Sequence, residues 1–486
     1  MSDLVAARRA RLAALRERGV DPFSATRYDV TAHAAGLATK YADLPEQGRA
    51  EGETWSLAGR IMSARGQGKV IFFDLHDRTG RFQLFVRQND VGEEAFAIAK
   101  EIERGDIVGA SGFAFRTKTG ELSLYVRSLE VLGKSLQPLP DKWHGLQDVE
   151  KRYRRRYVDL IVNPAVRDVM IARSKIIAEM RRFIDAQGFF EVETPTLLTI
   201  AGGATARPFL THSNALDIPL SLRIATELYL KRLIVGGMER VYEIGRIWRN
   251  EGIDRTHNPE FTMLELYAAF WDVQDMMRFN EELMAHLARS VHGTETVIYG
   301  EDTVSFATPF RRMDYLGAFK EFAGVEREQL LDPDRAFALL REYGIPDSPS
   351  HAHALDKLFE RIVEPHLIQP TFVYGYPVVL SPLAKRMKDD PELTERYELF
   401  AAHMELANAF TELNDPDEQR RRFEQQRALA TAGDEEAQPY DEAFLEALEQ
   451  GMPPTGGIGI GIDRLVMLLT GRHSIREVVL FPAMRD

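Results

Sequence analysis

Near its C-terminal end the chain alternates glycine with isoleucine, in Gly456-Gly457-Ile458-Gly459-Ile460-Gly461-Ile462-Asp463-Arg464-Leu465, and runs on into an apolar stretch at 466–470. Side chains alternate across a strand, so Ile458, Ile460 and Ile462 predict a packed face while Gly457, Gly459 and Gly461 leave the other face bare. A bare face lets a ligand lie directly on the backbone. The run therefore predicts a strand with a core behind it and a ligand in front. Arg464 falls in the first turn of the helix that follows, where a cation opposes the helix dipole and calls for an anionic partner such as a triphosphate. The dinucleotide-binding spacing G-x-G-x-x-G fails because Ile462 stands where the third glycine belongs, and there is no Walker A sequence. Any ATP site is of another kind.

A second segment runs from Arg246-Ile247-Trp248-Arg249-Asn250-Glu251-Gly252 to His257-Asn258-Pro259-Glu260-Phe261-Thr262-Met263-Leu264-Glu265-Leu266-Tyr267. Two apolar-alternating strands around a polar loop predict a hairpin with charged residues at its mouth. Phe261, Met263, Glu265 and Tyr267 share one face, and Leu264 and Leu266 the other. A ring, a carboxylate and a phenol in a row suit stacking on a planar base and holding an ammonium, whereas Arg249 and His257 suit phosphate oxygens. In a third segment, Tyr397-Glu398-Leu399-Phe400 through Glu405 to Leu413, the residues Asn408, Phe410 and Glu412 face one way from a strand. Glu398 and Glu405 are candidate Mg2+ ligands, since that ion takes one or two carboxylates alongside phosphates. Each segment alone also reads as ordinary structure or surface charge.

With 486 residues, the chain has room for about three domains. Short alternating runs at 56–61, 70–75, 82–86, 106–113 and 122–126, divided by turns such as Arg78-Thr79-Gly80, predict a small closed β-barrel of the OB type. That fold commonly presents one sheet face to single-stranded nucleic acid. Phe72 and Gln83 lie on consecutive strands and can converge on one exposed patch, a ring for stacking and an amide for hydrogen bonding; the alternative is that Phe72 is core and Phe73 points out. The expected organisation is a basic helical extension at 1–50, the OB-type domain at 51–136, a linker at 137–148 and an α+β domain on a largely antiparallel sheet at 149–486. Within the last, 165–187 predicts a helix, 241–248 a strand and 311–370 a helical embellishment. In the extension, Leu4, Ala7, Leu12 and Leu15 fall near one helical face and Arg8, Arg9, Arg11, Arg16 and Arg18 largely elsewhere, which suits either a solvated face or contact with RNA phosphates.

The net charge of −13 argues weakly against a nucleic-acid partner, but partner choice depends on where the positive charges sit. There is no cysteine, which excludes disulfides, a thiol nucleophile and cysteine-ligated zinc. No run of 18 apolar residues and no apolar signal region is present, so no membrane is expected and the cytoplasm is the default location.

Taken together, the second, third and glycine-rich segments resemble motif two, the carboxylate strand and motif three of class II aminoacyl-tRNA synthetases. Phe190-Glu191-Val192-Glu193-Thr194-Pro195 resembles motif one, which builds the dimer interface in that family. Ala201-Gly202-Gly203-Ala204, Ala206-Arg207-Pro208-Phe209, His212 to Asp217 and Glu227-Leu228-Tyr229-Leu230-Lys231-Arg232 resemble its lysine-specific branch. The resemblance spans nearly the whole chain. It implies a homodimeric ligase that joins L-lysine to tRNA(Lys) through a lysyl-adenylate, using ATP and Mg2+. Arg249 and Arg464 would be catalytic, with Arg249 on the α-phosphate, Phe261 stacked on adenine, Glu251 at the adenine amino group, and Arg464 and His257 near the terminal phosphate. Gly203, Glu227 and Glu265 would meet the α-amino group, Asn408 and Arg249 the carboxylate, and Tyr267 and Glu412 the side-chain ammonium, with Phe410 beside them. Glu398 and Glu405 would hold magnesium; Phe72 and Gln83, helped by Arg60, would read the anticodon.

Two positions depart from the family pattern: Thr226 stands where proline is expected and Ala409 where glycine is. Three rival readings remain. An aspartyl or asparaginyl synthetase shares the motifs, but Glu412 beside Tyr267 suits a cation. A ligase that attaches lysine to elongation factor P lacks the N-terminal barrel, which residues 55–132 supply. A non-catalytic RNA-binding relative would be expected to have lost pocket residues, and none is lost.

Overall fold

A computed structural model gives the structure of residues 3–140, 146, 148–346, 348–431, 433 and 437–485. The chain divides into two compact units, Met1–Gln147 and Asp148–Asp486. Residues 141–145 and 147 of the expected linker lie outside the described residues.

In the first unit five strands, β1 (Trp55–Gln67), β2 (Val70–His76), β3 (Arg81–Arg87), β4 (Ile107–Arg116) and β5 (Leu122–Gly133), close into a barrel in the order β1-β2-β3-β5-β4. Alternation decides what fills it: Leu57, Ile61, Phe73, Leu75, Leu84, Val86, Leu124 and Val126 point inward and pack as one core. Phe73 is 1% exposed, so its neighbour Phe72 is turned out. In the helix Asp3–Glu17 the buried stripe is Val5, Arg8, Leu12 and Leu15. This corrects the expected stripe, because Leu4 is 63% exposed and Ala7 is exposed too. The steps of three and four between the buried residues keep them over one another on the helix. The Arg8 guanidinium donates to the carbonyls of Ser135 (2.7 Å) and Arg104 (2.9 Å), so this arginine serves the fold of its own unit.

The second unit is built on an eight-stranded sheet. Its strand β6 (Phe190–Glu191) is followed in sequence by a separate three-stranded sheet of β7 (Leu197–Leu198), β8 (Leu210–Ser213) and β9 (Ile218–Leu222). Then come β10 (Arg240–Trp248) and β11 (Glu260–Ala269), a small hairpin of β12 (Thr296–Tyr299) and β13 (Asp302–Ser305), and β14 (Arg311–Asp314), β15 (Thr371–Tyr374), β16 (Arg396–Ala401), β17 (Met404–Thr411) and β18 (Thr455–Gly461). The large sheet runs β14-β15-β16-β17-β18-β11-β10-β6, and only its two end pairs, β14 with β15 and β10 with β6, are parallel.

Helices Pro164–Ala186, Val273–His292 and Ile462–Thr470 cover one face. There Ile176, Met180, Met276, Leu283 and Val466 pack on Leu264, Leu266, Ile458 and Ile460. Asp463 ties this layer to the hairpin: it accepts the Thr262 amide at 2.6 Å and pairs with Arg173 at 2.5 Å. The segment 311–370 differs from the expected all-helical insertion. It opens with β14, which pairs with β15 and sends Met313 into the core beneath helices Tyr315–Ala323 and His351–Ile362. A four-residue strand flanked by helical patterning has too little periodicity to stand out in sequence.

The two phenylalanines of β2 give a direct check on this architecture. Phe73→Ala should destabilise the barrel by about 3–5 kcal/mol, the cost of emptying a buried ring site, and Phe72→Ala by far less. Urea unfolding of the full chain reads both, and equal losses would mean that the strand faces are misassigned.

Candidate functional site

The face of the large sheet opposite the helices forms a cleft of about 860 Å³. Its floor is β18, flanked by β11 and β17, so that Glu265 and Asn408 stand on either side of Gly459, and Tyr267 and Phe410 on either side of Gly457. A Cβ on Gly457 would collide with Glu412 Oε1 and come within 2.5 Å of the Tyr267 ring; one on Gly459 would come within 2.5 Å of Met263 Cε and would have to displace the end of that side chain.

Around this floor the cleft is lined by Gly203, Glu227, Arg249, Glu251, His257, Phe261, Glu265, Tyr267, Glu398, Glu405, Asn408, Phe410, Glu412 and Arg464. These residues, spread over more than 260 positions of sequence, share a single cavity. At one end are the cations and a ring. The Arg249 guanidinium lies 5.3 Å from the Phe261 ring centroid. Arg464 bonds Glu405 at 3.0 Å and His257 Nε2 at 3.0 Å. Since a guanidinium can only donate, Nε2 accepts and Nδ1 donates to Asp254 at 2.8 Å. A half-buried, cation-bearing wall beside a flat ring suits a nucleotide: phosphates on the arginines, base on the ring.

The other end is acidic. Glu227, Glu265 and Glu412 are all buried, with Glu412 fully so. Glu265 accepts the Thr226 amide at 2.9 Å and the Tyr267 hydroxyl at 3.3 Å. Proline at 226 would have no N–H to give, so the departure noted in the sequence supplies a donor. Burial and the neighbouring Glu227 push Glu265 up to about 7. Burial pushes Glu412 up well above the usual carboxylate range, although Lys231 opposes it. Glu412 Oε1 has no hydrogen-bond donor among the described residues. A buried carboxylate oxygen with nothing to accept is a site for a ligand's ammonium. Gly203 adopts φ +93°, and its Cα approaches so closely that a Cβ there would lie 3.1 Å from Glu227 Cβ.

Several neighbours escaped the sequence reading. Arg396 bonds Asn408 Oδ1 at 3.0 Å and Glu398 at 2.6 Å, which turns the Asn408 amide into the cleft. Its signal was available, because positions 396 and 398 share a strand face. Glu398 also accepts the Tyr376 hydroxyl at 2.7 Å, and burial with the like charge of Glu405 pushes it up to about 7. Asp356, Glu360 and Glu364, from the insertion, line the same cleft. Carboxylates that repel one another in a low-dielectric wall fit a divalent cation. Among the described residues no three of them close into a ready-made cage, which suits an ion that draws its remaining ligands from phosphate and water.

In the barrel unit, Phe72 and Phe85 face each other across β2 and β3 with centroids 5.2 Å apart, and Tyr125 continues the row at 5.0 Å from Phe85. Phe113 stacks on Tyr125 at 4.9 Å, and Arg49 lies 4.7 Å from the Tyr125 ring. Gln83 shares the face of Phe85 but differs from the exposed position expected of it: it is buried opposite Asp74, with its carbonyl receiving the Ser123 hydroxyl at 2.8 Å. Arg60 stands on the same face of the sheet, opposite His76 and so four positions along β2 from Phe72, and donates to the Gly105 carbonyl at 2.6 Å; the arginine directly opposite Phe72 is Arg65. The register shift between Ile61 and Ser63 is what keeps Arg60 and Arg65, five residues apart, on one face. An aromatic row edged by arginines is a platform for unpaired bases.

Comparison with known proteins gives the same picture. A family model described as tRNA synthetases class II (D, K and N) matches residues 148–485, and an OB-fold nucleic acid binding domain model matches 55–132. Lysine–tRNA ligase of Halalkalibacterium halodurans is 53% identical, covering all of this chain and 97% of the relative. The enzymes of the same name from Moorella thermoacetica and Bacillus subtilis are 52% and 51% identical, over all of this chain and 98% of each relative. The chain belongs to the lysine–tRNA ligase family of class II synthetases.

For a synthetase of this family the titration of the acidic end is a measurable property. Burial and Glu227 push Glu265 up to about 7, so an ammonium ligand that pairs with it would compete with a proton. Proton and ammonium compete, so affinity for an ammonium ligand is full above that value and falls by up to about ten-fold per pH unit below it. Calorimetric titration with lysine between pH 5.5 and 8 should follow this curve. A flat profile would contradict the assignment of Glu265 to the ligand.

Proposed function

We infer that the chain ligates L-lysine to tRNA(Lys) with ATP, through a lysyl-adenylate. The observation that carries the choice of amino acid is the fully buried Glu412 carboxylate, whose Oε1 lacks a donor beside Tyr267 and above Gly457. An aspartate side chain would set carboxylate against carboxylate there; a lysine ammonium supplies the missing donor.

On this reading Tyr267 and Glu412 take the side-chain ammonium, with Phe410 against the stem. Glu227, Glu265 and the backbone at Gly203 take the α-ammonium, while Asn408 and Arg249 orient the α-carboxylate. Phe261 stacks on adenine, Glu251 reads its amino group, and Arg464 with His257 receives the terminal phosphate. The carboxylate of lysine is already an anion at neutral pH and attacks the α-phosphorus itself, breaking the bond from that phosphorus to the β-phosphate and releasing pyrophosphate; no protein nucleophile or base is needed. Arg249 and Arg464 stabilise the charge that develops on the phosphates, and alignment of the two substrates on one rigid floor supplies the rest. Glu398 and Glu405 would hold Mg2+, which when bound neutralises phosphate charge. A terminal ribose hydroxyl of the tRNA then attacks the carbonyl carbon of the adenylate, the acyl–phosphate bond breaks, and AMP leaves as the hydroxyl gives up its proton.

The domain assignment follows: residues 1–50 as a basic extension, 51–136 as the anticodon-binding domain, 137–148 as a linker and 149–486 as the catalytic domain. A homodimer formed along the edge at β6 is supported by the exposed Phe190 and Leu197. An enzyme of translation acts in the cytoplasm, where its tRNA is.

ATP–pyrophosphate exchange across the twenty amino acids tests the reading. Lysine alone should drive rapid exchange, and Arg249→Ala should lower it by a factor of about a hundred or more while the fold persists. Exchange driven by another amino acid, or unaffected by Arg249→Ala, would refute it.

The two units also separate experimentally. Stacking of a base on an aromatic side chain contributes roughly 1–3 kcal/mol, so Phe72→Ala should slow tRNA charging about ten-fold and leave lysine-dependent exchange intact. Gln83→Ala should do the same. If charging is unaffected, the anticodon is read elsewhere; if both reactions fall together, the barrel has lost its fold.

A further inference from the structure

We propose that Lys231 is a positioning residue of the amino-acid pocket: an ammonium built into the protein that fixes Glu227 and Glu412 and leaves the pocket two positive charges short, the number a diamino acid brings. The inference rests on the lysine reading of the pocket. Lys231 lies one turn beyond Glu227 on helix Glu227–Val235 and is completely buried. Its Nζ is 2.5 Å from Glu227 Oε1 and also contacts Glu412 Oε2, with the rings of Phe410 and Phe444 at 5.4 and 5.8 Å.

Two consequences follow from that geometry. First, Lys231 engages one oxygen of Glu412 from behind the pocket and leaves the other, Oε1, to the cleft. Without it nothing described here would hold that carboxylate in place. Second, it sets the count of charge. Glu227, Glu265 and Glu412 are three buried carboxylates, and Lys231 is the one ammonium bonded to any of them among the described residues. Among the described residues the nearby guanidiniums act on the three from a distance and bond none of them: Arg396 bonds Asn408 and Glu398, and Arg249 lies over Phe261. Three carboxyl groups against one ammonium leave two for protons to match in the empty pocket and for ammonium groups to match in the filled one, and lysine supplies an α-ammonium and a side-chain ammonium. An amino acid with one ammonium leaves a carboxylate uncompensated in a buried site, which is strongly unfavourable.

Lysine-dependent exchange by Lys231→Met and Lys231→Ala tests the inference. In Lys231→Met the KM for lysine should rise by about ten-fold or more, with kcat and the KM for ATP changing by no more than about two- to three-fold. In Lys231→Ala, added ethylammonium should recover lysine affinity, while ethanol, of similar size but uncharged, should not. That contrast separates charge from cavity filling. A lysine KM that stays level or drops, rescue by ethanol as good as by ethylammonium, or failure of both variants to fold would overturn the inference. Absence of lysine-dependent exchange in the unsubstituted protein would instead refute the lysine reading itself.

Discussion

Everything in the cleft depends on a strand that is bare of side chains on one face from Gly457 to Gly461. β18 lies in the middle of the sheet, and its neighbours lean their side chains across it: Tyr267 and Glu265 from β11, Asn408 and Phe410 from β17, and Glu412 just past the end of β17. The glycine floor leaves no room for any of these to be pushed upward by a Cβ. Behind it, Ile458 and Ile460 carry the packing that holds the strand level. One face of the same seven residues builds the core and the other makes the site, because side chains alternate strictly along a strand.

The second constraint is electrostatic. Burying three carboxylates side by side is unfavourable unless cations face them, and removing one partner from such a cluster costs more than the cluster ever contributes to stability. The fold meets part of this demand with Lys231 and leaves the remainder to the substrate. Selectivity and instability therefore come from the same groups. The other end carries both signs, with Arg249 and Arg464 among the carboxylates of Glu398 and Glu405, an arrangement in which phosphates would meet the arginines directly.

Much of this was legible in the chain. The alternations at 261–267 and 457–462 identified the faces of β11 and β18, since period two survives whatever the tertiary context. What stayed hidden depended on partners distant in sequence. Lys231 reads as one more basic residue on a helix until Glu412, 181 positions on, is seen to reach it. The carboxylates Asp356, Glu360 and Glu364 look like ordinary helix surface until the insertion is seen to line the cleft. In the barrel the register shift in β1 brings Arg65 onto the same face as Arg60 and opposite Phe72, and a bulge leaves no mark in hydrophobic period. The buried face of the first helix went astray by one residue at its start, where Val5 rather than Leu4 turns inward.

Asp463 accepts the Thr262 amide with one oxygen and holds Arg173 with the other. Thr262 is the neighbour of Phe261 and Asp463 the neighbour of Arg464, so the ring and the arginine at the two sides of the nucleotide end are attached to one clamp. Their separation is thereby set before any ligand arrives, like the jaws of a fixed-gap caliper. A nucleotide that fits spends little of its binding free energy on ordering them, and one of the wrong length cannot widen the gap without breaking a buried ion pair.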